Sequence, residues 1–196
     1  PFGKAYLRIS NADLDKALQC VAAVREAVGK NVDLMIEGHG RFDVPTAVMI
    51  AGELAQFKPM WFEEPVPPDN LQALKAVKDK SPVAIAAGER LYTRYNYREL
   101  FAGRASDYIQ PDVSHAGGIM VLKKIAATAE SEYIAFAPHN PSGPVANAAT
   151  LEELTLPFVQ KGGVAIAWKG PGVAEEMTAA RRAAFLLGGT VRGTVD

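Results

Sequence analysis

Apolar positions along this chain switch repeatedly between two spacings. Over residues 11–28, Leu14, Leu18, Val21, Val24 and Val28 recur at steps of three and four, the signature of one helix face. Ser10, with Asp13 three residues on, resembles a capping box with Asp in place of the usual Glu or Gln, and Gly29 is placed to stop the helix. The short apolar run "VDLMI" then predicts a strand. "VPTAVMIAGELAQF" predicts a second helix, entered through Asp43 as N-cap with Pro45 in its first turn. The alternation continues with "MWF" (strand), "DNLQALKAVKDK" (helix), "VAIAA" (strand), "NYRELFAG" (helix, Gly103 at its end) and "DYIQ" (strand). It ends with "GGIMVLKKIAATAE" (helix), "YIAFA" (strand) and "VANAATLEEL" (helix). No stretch reads as a flexible linker.

Strands that are apolar throughout, each followed by a helix, predict a parallel sheet covered by helices. An open doubly wound sheet and a TIM-type (β/α) barrel both fit. A Gly-x-Gly-x-x-Gly turn after the first strand is missing, which weakens the dinucleotide-binding form of the open sheet. A second periodicity favours the barrel. Glu37, Glu63, Glu89, Asp112 and His139 stand at the C-terminal ends of successive strands, at spacings of 26, 26, 23 and 27 residues, each about one strand-plus-helix unit. In a (β/α) barrel these strand ends converge on the face that carries the active site. The fold expected is a partial TIM-type barrel, with residues 1–196 as a single, incomplete domain.

Composition narrows the function classes. The formal net charge is -1 and no Lys/Arg run exceeds two residues, which gives no support to a nucleic-acid or anionic-membrane surface. No apolar stretch approaches the roughly 18 residues of a membrane span, and "PFGKAYLRIS" has no signal-peptide pattern. The one cysteine, Cys20, lies within a helical pattern, where it reads as a packing residue; no disulfide can form within the chain. A soluble protein of the reducing cytoplasm is the expectation.

Three carboxylates brought within a few ångströms repel one another and stay ionised only around a cation. An all-oxygen set suits a hard ion, and Mg²⁺ fits because it keeps positions open for substrate oxygens. Glu37, Glu63 and Glu89 are the candidate ligands. "FEEP" also offers Glu64; side chains alternate across a strand, so only one of the two faces the metal. Asp112 and His139 lie on adjacent strands, where a carboxylate on one imidazole nitrogen fixes the tautomer and makes the other a general base. His39, two residues past Glu37, shares that strand's facing and enters from another side. All three histidines, His39, His115 and His139, fall in these segments.

The motifs "LMIEGHGRF", "WFEEPVPPDN", "AAGERLY", "YIQPDVSHAGGI" and "FAPHNPSGPVA" resemble, in order and spacing, the enolase superfamily, and within it the mandelate racemase group and its acid-sugar dehydratases of the D-galactonate type. The resemblance covers roughly residues 10–150. It implies Mg²⁺ on Glu37, Glu63 and Glu89, a His139–Asp112 base that removes the proton α to a carboxylate, and His39 as the acid that protonates the departing hydroxyl. On that reading the glycines of "EGHGRF" keep the strand tip open for substrate. Arg41 holds a substrate hydroxyl or carboxylate or, equally well, forms a surface ion pair, and His115 is a further substrate-binding candidate. The expected partners are a small sugar acid and, for the complete protein, further copies of itself.

The sequence departs from the family pattern in three places. The first ligand position usually holds Asp, one methylene shorter than Glu37. The glutamate expected about 25 residues after the base histidine falls near Val164, with Glu152 and Glu153 in a helical pattern nearby. Five or at most six strands can be counted where a closed barrel has eight, and the N-terminal capping domain has no counterpart. Two other activities therefore stand beside dehydration: an epimerase or racemase on the same scaffold, and an inactive fragment that only binds metal.

Overall fold

The computed structural model describes residues 1–141. They form a five-stranded, fully parallel sheet in sequential order, with helices between the strands. The elements are α1 (Asn11–Val28), β1 (Met35–Glu37), α2 (Val44–Leu54), β2 (Trp61–Glu63), α3 (Leu71–Lys78), β3 (Ile85–Ala87), α4 (Thr93–Gly103), β4 (Tyr108–Ile109), α5 (Val113–Ala116), α6 (Ile119–Ser131) and β5 (Ala135–Phe136). A parallel row in which each strand pairs with the next through a helical crossover is part of a barrel wall, as expected. The helix expected over 145–154 and the position near Val164 lie outside the described residues.

Local chemistry explains the helix starts. The Ser10 hydroxyl accepts the Asp13 N–H at 3.1 Å and donates to the Asp13 carboxylate at 2.8 Å. The Asp43 carboxylate accepts the Thr46 N–H at 2.9 Å, with Pro45 in the first turn. Each cap satisfies a donor that the helix cannot satisfy itself. Asn70 caps α3 through two N–H groups. The helix α4 begins three residues before its apolar pattern, at Thr93, and the left-handed turn at its end falls on Arg104.

The register divides the sheet into two faces. Ile36 pairs with Phe62, Phe62 with Ile85, and Ala87 with Ile109. These side chains join the helices in the main hydrophobic core. The opposite face carries Glu37 beside Glu63, Glu63 beside Ala86, and Ala86 beside Tyr108. Trp61 packs against Tyr108 across that face, with ring centroids 4.9 Å apart and the planes inclined at 47°. At the N-terminal end Phe2 is buried edge-on against Phe42 at 5.2 Å.

Three expectations are corrected. Cys20 is exposed and not a packing residue. The buried stripe of α1 is Leu14, Ala17 and Val21, whereas Val24 and Val28 remain 49% and 39% exposed. Only α2 and the 3₁₀ turn at Ala55–Phe57 pack substantially on α1 among the described elements, so its apolar stripe outruns its partners. The strands are two or three residues long, and all but β2 are shorter than the apolar runs that predict them; β1, β2 and β3 sit at the C-terminal end of their runs, with β1 and β2 reaching one residue past it to Glu37 and Glu63. Among the described residues no helix is long and apolar enough to cross a membrane.

Candidate active site

Glu37 and Glu63 end β1 and β2 as direct register partners on the face away from the helices. Glu89 lies two residues beyond β3 and completes the group. One carboxylate oxygen from each of the three falls within 4.8 Å of the others. The site is crowded with negative charge. Burial, followed by the neighbouring Glu63 carboxylate, pushes the Glu37 pKa up to about 8. Trp61, two residues before Glu63 on the same face, donates its indole N–H to Glu63 Oε2 at 3.0 Å. The chemistry of the set, three carboxylates and no nitrogen or sulfur donor, suits a hard divalent cation.

His139 lies beside these carboxylates. Its Nδ1 is 3.0 Å from Asp112 Oδ2, and its Nε2 is 3.0 Å from Glu89 Oε2. Burial opposes a charge on the ring, but the hydrogen bonds and charges of Glu89 and Asp112 outweigh it, so the His139 pKa is raised. The same contact with His139 lowers the Glu89 pKa. Asp112 is 1% exposed, and its other oxygen accepts the Ser114 N–H at 2.7 Å, capping α5. This short helix, absent from the sequence pattern, locks the carboxylate in place.

Glu64, one residue past β2 and in a left-handed conformation with φ 41°, points the other way. It is 2% exposed on the helix side of the sheet, where burial raises its pKa to about 7, and its Oε1 accepts the Gly88 N–H at 2.8 Å. Glu63 is thus the member of the pair that joins Glu37 and Glu89.

His39 is brought to the site by a turn and not by strand alternation. The strand β1 ends at Glu37, and His39 takes a left-handed φ of 59°. Its N–H donates to Glu37 Oε1 at 2.5 Å, and its Nδ1 is 3.9 Å from the same oxygen, with the side chain 60% exposed. The glycines around it do not leave open room. A Cβ on Gly38 would lie 2.9 Å from the Phe62 ring and 3.0 Å from two β2-side carbonyl oxygens, and one on Gly40 would lie 2.7 Å from Arg90 Nη1. Their smallness lets the β1 tip pack against β2 and Arg90, which corrects the expectation that they open the strand tip to substrate.

Arg41 reaches the Gly3 carbonyl and ties down the N-terminal segment. His115 contacts the Glu89 carbonyl oxygen through Nδ1 at 2.8 Å and stacks on Tyr92, ring centroids 5.0 Å apart. Residues that the sequence pattern did not single out also belong here. Arg90 donates through Nε to Glu89 Oε1 at 3.2 Å. Trp61 was detectable, since i and i+2 share a strand face; Arg90 carried no such signal.

A parallel α/β sheet whose C-terminal strand ends gather three carboxylates and a His–Asp pair defines a barrel-type enzyme scaffold. The comparisons with known proteins place it further: the Enolase C-terminal domain-like family matches residues 2–185, and the chain belongs to that family. The chain is 39% identical over 151 residues to a D-galactonate dehydratase of Pectobacterium atrosepticum, covering 77% of this chain and 39% of that one. It is 41% identical over 138 residues to a D-galactonate dehydratase of Xanthomonas euvesicatoria, covering 70% and 36%. Among solved structures, a mandelate racemase/muconate lactonizing enzyme-like protein from Rubrobacter xylanophilus shares 48% identity and superposes with a TM-score of 0.71, over 74% of this chain and 36% of that one. A similarly named protein from Roseovarius gives 30% identity and a TM-score of 0.74 over 87% and 42%. The chain therefore spans less than half the length of the relatives it matches.

Proposed function

We propose that this chain carries the catalytic centre of a Mg²⁺-dependent sugar-acid dehydratase. The observation that carries the reading is the His139 imidazole, fixed by Asp112 on Nδ1 and presenting Nε2 to the carboxylate cluster. Relatives at about 40% identity named D-galactonate dehydratase support the substrate class.

Glu37, Glu63 and Glu89 would hold the cation. When bound, Mg²⁺ supplies positive charge next to the substrate carboxylate, which offsets the charge that builds as the neighbouring carbon loses its proton. The other steps belong to this chain's own residues. His139 Nε2 takes the proton from the carbon α to the carboxylate, and Asp112 stabilises the imidazolium that forms. The electron pair of the broken C–H bond forms the C2–C3 double bond as the C3–O bond breaks. His39 gives its proton to the departing hydroxyl, so that water leaves. The resulting enol takes up a proton at C3, gives up the proton of its C2 hydroxyl and becomes a 2-keto-3-deoxy acid. His39 suits the acid role because it stands at a different strand end from His139, on an exposed turn.

The test is incubation of the protein with C5 and C6 aldonic acids and Mg²⁺, reading 2-keto-3-deoxy product. Such product with at least one aldonate is expected. A C2 epimer as sole product would replace dehydration by epimerisation. Retained Mg²⁺ binding without any turnover would identify a metal-binding fragment.

A further inference from the structure

Alternation along β3 does not place Glu89 in the carboxylate cluster. Glu63 pairs with Ala86, so Ala86 faces the site and Ala87 faces the helices with Ile85 and Phe62. Continued pleating would face Gly88 to the site and Glu89 to the helices. Glu89 nevertheless brings an oxygen within 4.8 Å of those of Glu37 and Glu63. The change of direction occurs at Gly88, whose φ is 122°, a conformation that side-chain-bearing residues rarely adopt. A Cβ there would also lie 3.2 Å from the Tyr97 ring.

Both polar groups of Gly88 are held by buried side chains from outside the strand. Its N–H donates to Glu64 Oε1 at 2.8 Å, and its carbonyl accepts the Tyr97 hydroxyl at 2.6 Å beside the longer turn bond from the Leu91 N–H at 3.0 Å. Tyr97 comes from α4 and is 0% exposed; Glu64 follows β2 and is 2% exposed. A tyrosine hydroxyl and a carboxyl group on the apolar side of a sheet are costly to bury unless their hydrogen bonds do work there. We propose that Tyr97 and Glu64 are positioning residues that clamp Gly88 in its reversed conformation and so aim Glu89 at the cation. The clamp rests on the metal-site reading above. It explains why the second glutamate of "FEEP" is a glutamate although it faces away from the site, and why α4 buries a phenol hydroxyl.

Mn²⁺, a hard cation visible by electron paramagnetic resonance, serves as the probe on the full chain. Tyr97→Phe removes one hydroxyl, and Glu64→Met removes the acceptor for the Gly88 N–H. Each should weaken Mn²⁺ binding by about tenfold, the lower end of what loss of an outer partner of a metal ligand costs. Glu64→Gln retains an acceptor oxygen and should bind within about twofold of the parent. Ile125→Val, a core change in α6, should lower the thermal midpoint measured in chelator without weakening Mn²⁺ binding. Either clamp variant suffices if the other does not fold. Parental Mn²⁺ affinity in Tyr97→Phe or Glu64→Met would overturn the clamp and leave the metal site standing. Weakening by Ile125→Val equal to that of the clamp variants would reduce their effect to general stability and also overturn it. A parent chain that binds no Mn²⁺ would overturn both the clamp and the metal site.

Discussion

His139 Nε2 and Glu89 Oε2 lie 3.0 Å apart, so the nitrogen assigned as base and an oxygen assigned to the cation are in ion-pair contact. Asp112 holds the other side of the ring at the same distance. Asp112→Asn tests that second contact. Asn keeps an oxygen for the Ser114 N–H, so α5 stays capped. It also presents an amide N–H to His139 Nδ1, which favours the wrong tautomer and removes the charge that stabilises the imidazolium. Turnover should fall by about 10²–10⁴, the usual worth of a positioned general base, with the thermal midpoint little changed. Full activity in this variant would remove the pair from the base role.

Cation binding should release protons. Burial and the adjacent Glu63 hold the Glu37 pKa at about 8, so at pH 7 the cation-free carboxyl is mostly protonated. A cation takes the ionised form, so its apparent affinity should rise as pH increases toward 8 and level off above. Below that pH the rise approaches about tenfold per unit for one displaced proton. Isothermal titration of Mg²⁺ at pH 7 in buffers of different ionisation enthalpy reads the proton directly. An affinity constant across pH 6.5–9 would show that Glu37 carries no such proton.

Glu64 gives an opposite sign from most carboxylates in its effect on stability. Its pKa rises from 4.5 unfolded to about 7 folded, through burial. The fold thus favours the neutral acid. That contribution is fully present below pH 4.5 and is lost as pH climbs through 7. Across this window the cation-free protein should lose stability on the order of 3 kcal/mol from this group, at 1.36 kcal/mol per pKa unit. Glu64→Gln cannot ionise and should flatten the slope. Urea unfolding in chelator at pH 4.5 and pH 8 checks this, and an unchanged slope in the variant would assign the pH dependence to other groups.

The alternating strand and helix patterns, and a glutamate at or just past the end of each of the first three strands, were legible in the sequence because each strand-plus-helix unit returns the chain to the same end of the sheet; the equal 26-residue steps are not equal units, since Glu63 pairs with Ala86 and not with Glu89. The Ser10 and Asp43 caps were legible because capping depends on residues three positions apart. Gly88 was not. Its role depends on a φ of 122° and on Tyr97 and Glu64, which meet it only after α4 and β2 are in place. The opposite burial of Val24 and Ala17 was hidden for a related reason. Periodicity identifies a helix face, but the packing partners decide how far along the helix burial extends. The glycines beside His39 show the same limit: the missing Cβ could be read, but not that the β2 backbone and Arg90 fill the space.

On the proposed reading, His39 decides between loss of water and simple proton exchange. Hydroxide is a poor leaving group, so dehydration needs an acid at the C3 oxygen, whereas removal of the α proton needs only the base and the cation. His39→Asn separates the two. The residue sits at φ 59°, a conformation that Asn tolerates better than most side chains, so the turn and the N–H contact to Glu37 should persist. The imidazole is 60% exposed, so its removal leaves no cavity in the core. In this variant, formation of keto-deoxy acid from the parent's aldonate should fall by about 10²–10⁴, the usual range for general-acid help. Exchange of the substrate α proton with solvent deuterium should continue, because His139, Asp112 and the three carboxylates are unchanged. Proton magnetic resonance of the substrate in deuterium oxide follows both signals in one tube. Dehydration at the parental rate would take His39 out of the acid role. Loss of exchange together with dehydration would instead make His39 part of the α-carbon chemistry, as an epimerase requires.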